Sequence, residues 1–138
     1  MSRIRHIAIA TQDPEGTARF YKEGLGLREV GVVNSELAEG YYLTDGHVNI
    51  AILRFKTDAA ATTEGAPRYT GVHHLGFEVD DMEAARKQIE DAGAVFQKMA
   101  GARTPGPGGT GNVEVKFRGP DGVTVDLSEH GWAGTAPD

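Results

Sequence analysis

Two histidines occupy matching positions in two strand-like segments of the chain. His6 lies in the segment IRHIAIA and His74 lies in the segment GVHHLGFEV, and the four residues that start at each histidine align 68 positions apart. Asp13 and Asp81, which follow these segments, align at the same offset. One structural unit used twice would explain both matches. An imidazole at the same place in each unit makes the two histidines candidates for ligands of one metal ion.

A carboxylate in a third strand-like segment could complete such a site. In the segment VTVDLS, apolar and polar residues alternate, so Asp126 faces away from Val125 and Leu127. A buried carboxylate must be paired, hydrogen-bonded or metal-bound. Two imidazoles and one carboxylate on a common face form a site for a divalent first-row metal. The alternatives at this point are structural or exposed histidines and a solvated carboxylate on an edge strand.

The composition limits the classes of function. The chain has 138 residues, a net charge of −6 and no cysteine. This length suits one domain, and the absence of cysteine excludes disulfides, thiolate nucleophiles and thiolate metal sites. The negative charge argues against nucleic acid or an anionic membrane as the main partner, and no apolar run is long enough to span a bilayer. The first residues lack a signal-peptide pattern, so we expect a cytoplasmic protein that acts on a small molecule.

Hydrophobic periodicity and turn residues predict two copies of a β-α-β-β-β module. Each helix is expected to begin after an aspartate cap, Asp13 in the first copy and Asp80 or Asp81 in the second. The predicted strands are 4–10, 27–33, 36–44 and 47–55, followed by 71–79, 94–99, 112–119 and 123–130. We expect one domain with module one at 4–55, a linker at 56–70, module two at 71–130 and a tail at 131–138.

Strand alternation assigns the candidate residues to faces. If the first helix covers Ile7 and Ile9, His6 faces the opposite, concave side. The same argument places His74 on the concave side and predicts that the adjacent His73 points the other way.

Other polar residues are candidates for contacts with a substrate. One of the two adjacent tyrosines, Tyr41 and Tyr42, should face the concave side because neighbours in a strand alternate. Three cations could meet a substrate carboxylate, although surface charges in solvent are the alternative interpretation. These cations are Arg54, Arg103 and Lys116.

The segments RHIAIATQDPEGTARFYKEGLGL, GVHHLGFEVDDMEAARKQIEDAGA and GPDGVTVDLSEH together resemble the vicinal oxygen chelate superfamily of glyoxalases, bleomycin resistance proteins and ring-cleaving dioxygenases. The resemblance covers nearly the whole chain. It implies an α+β fold in which two tandem βαβββ modules form a cupped mixed sheet, usually in a homodimer.

The resemblance also implies a set of metal ligands. Carried over position by position, the ligands fall on His6, His74 and Asp126, where the family commonly has Glu at the last position. A further ligand in the fourth strand would fall on Asn49 or Ala51, depending on register. We therefore predict one divalent ion, which is Zn, Ni, Co, Mn or Fe, with Asp126 and Asn49 as catalytic residues. The predicted substrate contacts are His47, Tyr42 and Arg103.

Three functions agree with this pattern. The first is a metal-dependent enzyme that acts on a small oxygenated substrate by glyoxalase-like lyase, isomerase or epimerase chemistry. The second is an Fe(II) ring-cleaving dioxygenase, because dioxygenase-like members of the family use two His and one Glu. The third is a metal-free protein that binds a drug or metabolite, as bleomycin-resistance-like members do, and the pair His6 and His74 argues against it.

Overall fold

The computed structural model describes residues 1–58, 69–100 and 114–136. Within them the chain forms one eight-stranded mixed sheet and two α-helices, which confirms the α+β prediction. The elements are β1 (Arg3–Ala10), α1 (Pro14–Leu25), β2 (Arg28–Asn34), β3 (Ala38–Thr44), β4 (Asn49–Phe55), β5 (Gly71–Glu78), α2 (Met82–Asp91), β6 (Val95–Ala100), β7 (Glu114–Arg118) and β8 (Thr124–Ser128).

The order of strands shows that the two halves are built alike. The sheet runs β2-β3-β4-β1-β5-β8-β7-β6, so each module contributes four neighbouring strands. The first strand of each module pairs in parallel with the last strand of the same module, β1 with β4 and β5 with β8. The modules meet where β1 pairs antiparallel with β5. The repeated element order predicted from the sequence is therefore confirmed, with most strand ends within two residues of the predicted positions.

Aspartate side chains start both helices. Asp13 accepts a hydrogen bond from the Gly16 amide at 3.0 Å, and Asp81 accepts one from the Ala84 amide at 3.0 Å. These caps satisfy amides that have no partner inside the helix. Asp80, the other candidate for the second cap, instead binds the N-terminal amine, and this hydrogen bond holds the pKa of the Asp80 carboxyl below its ordinary value.

The two helices lie on one face of the sheet and leave the other face for the site. Ala18 of α1 packs with Leu43 and Ile52, and Ile9 adds to this cluster. A second cluster, around Val79 and Phe117, packs with apolar residues of α2. The opposite face, called the cup face below, carries Ala8, Ala51 and Leu53 with Tyr42 and Phe55 packed against them. Tyr42 is thus the tyrosine that faces the cup, whereas Tyr41 packs on the α1 side.

Two bulges interrupt the pairing of β1 with β5. The register skips Arg5 on β1 and His73 on β5, and these two residues are also 68 positions apart. A bulge sets two consecutive residues against one, so the strict alternation of faces breaks there. The prediction that His73 points away from His74 is therefore wrong. The two rings lie with their Nδ1 atoms 3.0 Å apart, and the His73 ring packs on Phe55.

The division into module one, linker, module two and tail stays a prediction. β4 ends at Phe55 and β5 begins at Gly71, and of the predicted linker between them residues 59–68 lie outside the described part. Among the residues that the structure describes, none of the helices has the length and apolar character needed to cross a membrane.

Candidate metal centre

Three adjacent strands at the centre of the sheet bring together the three predicted ligands. His6 on β1 pairs with Gly76 on β5, and Gly76 pairs with Asp126 on β8, so these residues form one row across the sheet. His74 precedes Gly76 by two residues and lies on the same face. All three candidate ligands are buried, with exposures of 4%, 4% and 0% for His6, His74 and Asp126.

The distances between the donor atoms suit one metal ion. His6 Nε2 lies 3.2 Å from His74 Nε2, and His74 Nε2 lies 3.5 Å from Asp126 Oδ2. The three donor atoms all fall within 4.8 Å of one another. Ligand atoms that each stand about 2.0–2.2 Å from one ion are roughly 3–3.5 Å apart when neighbouring, so the two distances from His74 Nε2 agree. Two imidazole nitrogens and a carboxylate are also a donor set that divalent first-row metals accept.

Asn49 fixes which nitrogen of His6 can bind a metal. Its amide nitrogen donates to the Ala133 carbonyl at 2.9 Å, which leaves its oxygen facing His6 Nδ1 at 2.8 Å. That oxygen is an acceptor, so His6 carries its proton on Nδ1 and keeps the Nε2 lone pair for the centre. With 0% exposure and both ends engaged, Asn49 is placed to orient His6. The catalytic role predicted for Asn49 stays a prediction.

The register of the strands shows where a fourth ligand would stand. His6 pairs with Asn49, and His74 pairs with Thr124, so Asn49 is the counterpart of Thr124. Two residues further along each strand, the counterpart of Asp126 is Ala51. Alanine has no donor atom. The cup face therefore offers three ligands from this row and not four.

His73 lies against the outer nitrogen of His74, as Asn49 lies against that of His6. With a metal at His74 Nε2, the proton of the His74 ring lies on Nδ1 and is donated to His73 Nδ1, 3.0 Å away. The bulge at His73 brings the His73 ring next to the His74 ring, and the alternation of faces along a regular strand could not predict this contact. The pair HH in GVHHLGFEV was the only signal.

A buried lysine lies against the candidate centre. Lys116 is 2% exposed, and its Nζ lies 2.7 Å from Asp126 Oδ2 and 3.7 Å from Glu114 Oε2. The interpretation of Lys116 as a surface charge is wrong, whereas Arg54 is indeed exposed and pairs with Glu39. The sequence held a usable signal. Lys116 and Asp126 stand at equal distances on either side of Asp121 in the turn, which makes them direct partners across the β7–β8 hairpin.

The segment after β8 folds back over the cup face. The indole of Trp132 stacks on the His6 ring with centroids 5.0 Å apart and planes 8° apart, and its Nε1 donates to Glu114 Oε1 at 2.8 Å. Further along, the Gly134 carbonyl accepts from Thr44 Oγ1. This segment, residues 131–136, forms a wall of the centre, and sequence reasoning assigned it little structure.

Gly76 makes room for this wall. A Cβ atom built on Gly76 would lie 2.7 Å from His6 Cβ and 2.7 Å from Trp132 Cζ2, which is too close for any side chain. The absence of a side chain in the middle of the row therefore lets both His6 and Trp132 occupy the space above it.

The predicted substrate contacts do not all meet the centre. His47 lies exposed in the turn before β4, where its carbonyl accepts a hydrogen bond from Arg5. Tyr42 is half-buried and packs on the Ala8 and Ala51 cluster of the cup face. Arg103 lies outside the described residues. An open groove of about 460 Å³ borders the centre, with Tyr69, His73, His74 and Thr124 among its lining residues.

The sequence of the chain matches a family model and a protein of known function. Residues 3–127 match the model of the Glyoxalase/Bleomycin resistance protein/Dioxygenase superfamily. The chain is 32% identical to the ethylmalonyl-CoA/methylmalonyl-CoA epimerase of Cereibacter sphaeroides, over 94% of this chain and 98% of that protein.

Solved structures give the same picture of the fold. A variant of the Streptomyces coelicolor methylmalonyl-CoA epimerase in complex with 2-nitronate-propionyl-CoA superimposes with a TM-score of 0.68 at 23% identity, covering 91% of this chain and 95% of that one. The halotolerant catechol dioxygenase BphC also gives 0.68, at 18% identity, covering 94% of this chain and 40% of that one. At these identities the superpositions show a common fold.

Proposed function

The chain belongs to the Glyoxalase/Bleomycin resistance protein/Dioxygenase superfamily, and from this membership we propose that it is a metal-dependent enzyme of the epimerase type. It would move a proton on the carbon next to the carbonyl of a small coenzyme A thioester. The observation that carries the proposal is the buried cluster of His6, His74 and Asp126 at the centre of the sheet. The epimerase of Cereibacter sphaeroides, similar over nearly the whole chain, supports the reaction class and the substrate class.

The residues of the cup face fit the metal ion that this chemistry uses. His6 Nε2, His74 Nε2 and the Asp126 carboxylate would hold a divalent ion, whether Zn, Ni, Co, Mn or Fe. When bound, the ion supplies Lewis acidity, which polarises a substrate carbonyl and stabilises negative charge that develops on its oxygen. Asn49 holds His6 in the tautomer that leaves Nε2 facing the centre, and His73 Nδ1 would accept the Nδ1 proton of a metal-bound His74.

The surroundings of the centre supply a place for the substrate. The groove beside His74 opens to solvent and passes Tyr69 and Thr124, so an acyl group could reach the centre from this side. Tyr42 on the cup face, His47 at the turn before β4, and Arg103 are the proposed contacts for the rest of the substrate. Trp132 stacks on His6 and covers one face of that ring.

Exchange of the acidic carbon-bound proton with solvent deuterium tests the proposal. Protein loaded with Co²⁺ is mixed with methylmalonyl-CoA or ethylmalonyl-CoA in D₂O, and deuterium at the carbon between the carbonyls is followed by NMR. We expect exchange well above the rate in buffer, and a loss of at least about a hundredfold in His74→Ala, since the charge stabilisation by the metal would be missing. His130→Ala, which changes an exposed histidine outside the centre, is the matched control. Exchange no faster than in buffer would contradict the proposal.

One observation favours the Fe(II) dioxygenase as a second candidate. Because Ala51 stands at the fourth position, the centre has two histidines and one carboxylate, the ligand count of non-haem Fe(II) oxygenases. Oxygen consumption by the Fe²⁺-loaded protein in the presence of catechol distinguishes this candidate. Uptake with catechol, together with no deuterium exchange in the thioesters, would replace the epimerase proposal.

The metal-free binding protein is the third candidate. The ammonium of Lys116 beside Asp126 is the feature that favours it, because the side chain of the protein itself already neutralises the carboxylate. The homodimer is a prediction from the family resemblance, and light scattering during size-exclusion chromatography would measure it.

A further inference from the structure

Lys116 and a divalent metal ion would use the same oxygen atom. The ammonium Nζ lies 2.7 Å from Asp126 Oδ2, and this same Oδ2 is the atom that lies 3.5 Å from His74 Nε2 within the candidate ligand cluster. Both side chains of the ion pair are buried, with 3% and 0% exposure. We propose that Lys116 competes with the metal ion for Asp126. The ammonium neutralises the Asp126 carboxylate in the metal-free protein and must move aside when metal binds. This inference rests on the proposed metal site.

The burial of the pair makes the competition strong. Two cations close to one carboxylate repel each other, and solvent does not screen this repulsion where neither side chain is exposed. Asp126 also needs a cation, because a buried carboxylate that has lost its partner is strongly destabilising. Either the ammonium or the metal can fill that role. The centre therefore has two alternative states, one with Asp126 paired with the ammonium and one with Asp126 bound to the metal.

Glu114 offers the displaced ammonium a second partner. Lys116 Nζ lies 3.7 Å from Glu114 Oε2, and the two residues share the cup face of β7. A small rotation of the lysine side chain toward Glu114 keeps the ammonium paired and releases Asp126 to the metal. Glu114 also accepts the Trp132 Nε1 hydrogen bond, and Trp132 is the only tryptophan of the chain. The displacement of Lys116 should therefore change the tryptophan fluorescence.

Metal affinity measured by calorimetry with Co²⁺ tests the competition directly. Lys116→Met keeps the length and apolar stem of the side chain but removes the charge. We expect Lys116→Met to bind Co²⁺ at least about tenfold more tightly than the wild type, the size of effect associated with one charged hydrogen bond. Lys87→Met, which removes an exposed lysine paired with Asp91, is the matched control and should bind Co²⁺ as the wild type does.

The melting temperature gives a second readout, because the buried Asp126 carboxylate needs a cation beside it. Without metal, Lys116→Met should melt below the wild type, and saturating Co²⁺ should raise its melting temperature by more than it raises that of the wild type. If Lys116→Met does not fold, Glu114→Gln takes its place. It keeps an acceptor for Trp132 but removes the alternative partner of the ammonium, so we expect Co²⁺ binding several-fold weaker than in the wild type.

Equal or weaker Co²⁺ binding by Lys116→Met, or no Co²⁺ binding by any of these proteins, would overturn the proposal. If Lys116→Met does not fold, unchanged Co²⁺ binding by Glu114→Gln would overturn it as well. None of these measurements uses a substrate. Tighter binding by Lys116→Met together with an absence of deuterium exchange would thus leave the competition standing while the proposed epimerase activity failed.

Discussion

His6 is held from three directions by side chains that are distant along the chain. Asn49 contacts its Nδ1, His74 faces its Nε2, and the indole of Trp132 lies flat against the ring. The imidazole therefore has one orientation before any ligand arrives. A donor atom fixed in this way binds metal without first losing side-chain freedom, which is the usual value of residues that support a ligand.

Asn49 should matter through His6. In Asn49→Leu the acceptor for His6 Nδ1 is lost, and we expect Co²⁺ affinity to fall about 10–100-fold, the range seen for lost supporting partners of ligands. In Asn49→Asp an oxygen still faces His6 Nδ1, so the affinity should stay within a few-fold of the wild type. Calorimetry on both variants measures this difference. Equal losses in the two variants would show that Asn49 does not act by orienting His6.

Gly76 should tolerate no side chain. The Cβ of Gly76→Ala would collide with His6 and Trp132, so we expect a loss of about 1–3 kcal/mol in the free energy of unfolding, together with a shift in tryptophan emission. Gly24→Ala is the control, because a Cβ on Gly24 in α1 meets nothing within 4 Å. Helix propensity predicts a gain of up to about 1 kcal/mol there. Urea denaturation measures both, and similar stabilities for the two variants would contradict the account.

Single residues also show what the sequence could and could not predict. The offset of 68 positions and strand alternation made His6, His74 and Asp126 candidates, the family resemblance proposed them as one ligand set, and the structure brings their donor atoms within 4.8 Å of one another. The role of Trp132 depends on the path of residues 131–136 over the cup face, which no local pattern encodes. To predict the ion pair of Lys116 with Asp126, one must know which residues of β7 and β8 face each other. That pairing can be found by counting residues outward from the turn between the two strands.

At the scale of elements, the strands position the site and the bulges adjust it. Alternation correctly put Ile9 under α1 and left His6 on the cup face. It failed at His73, because a bulge depends on how two strands pair and not on either strand alone. The helix starts were predictable because an aspartate cap acts within three residues of itself.

The turn between β3 and β4 should contribute to stability in a pH-dependent way. Asp45 Oδ1 accepts hydrogen bonds from the Val48 and His47 amides, each at 2.8 Å, and these bonds hold the pKa of the Asp45 carboxyl below its ordinary value of 3.8. A carboxyl with a lowered pKa stabilises the fold above the pKa of the unfolded chain, and this contribution disappears as the pH falls through the folded pKa.

Asp45→Asn should therefore cost stability mainly at neutral pH. Because Asn keeps an oxygen that accepts both amide hydrogen bonds and removes only the charge of an exposed group, we expect a loss of up to about 1 kcal/mol in the free energy of unfolding at pH 7, with the difference from wild type shrinking below pH 3.8. Urea denaturation at several pH values measures this difference. A loss that stays constant from pH 7 to acid would mean that the charge of Asp45 plays no part.

At the scale of the whole molecule, the centre exists only because the two modules join. His6 comes from module one, whereas His74 and Asp126 come from module two, and the β1–β5 pairing brings them into one row. The internal repeat predicted that the two modules pair around a common core, whereas the pairing of β1 with β5 is seen only in the structure. The residue at the possible fourth ligand position could be identified as Ala51 only from the register of β4 against β1.

The most direct test of the central claim is the visible absorption spectrum of the protein during a titration with Co²⁺. We predict a ligand-field band that saturates at one equivalent per chain in the wild type, persists in His130→Ala, and disappears in both His6→Ala and His74→Ala. Loss in both variants would show that one ion takes a ligand from each module. No band in the wild type at a large excess of Co²⁺, or an unchanged band in the two alanine variants, would contradict a metal centre at His6, His74 and Asp126.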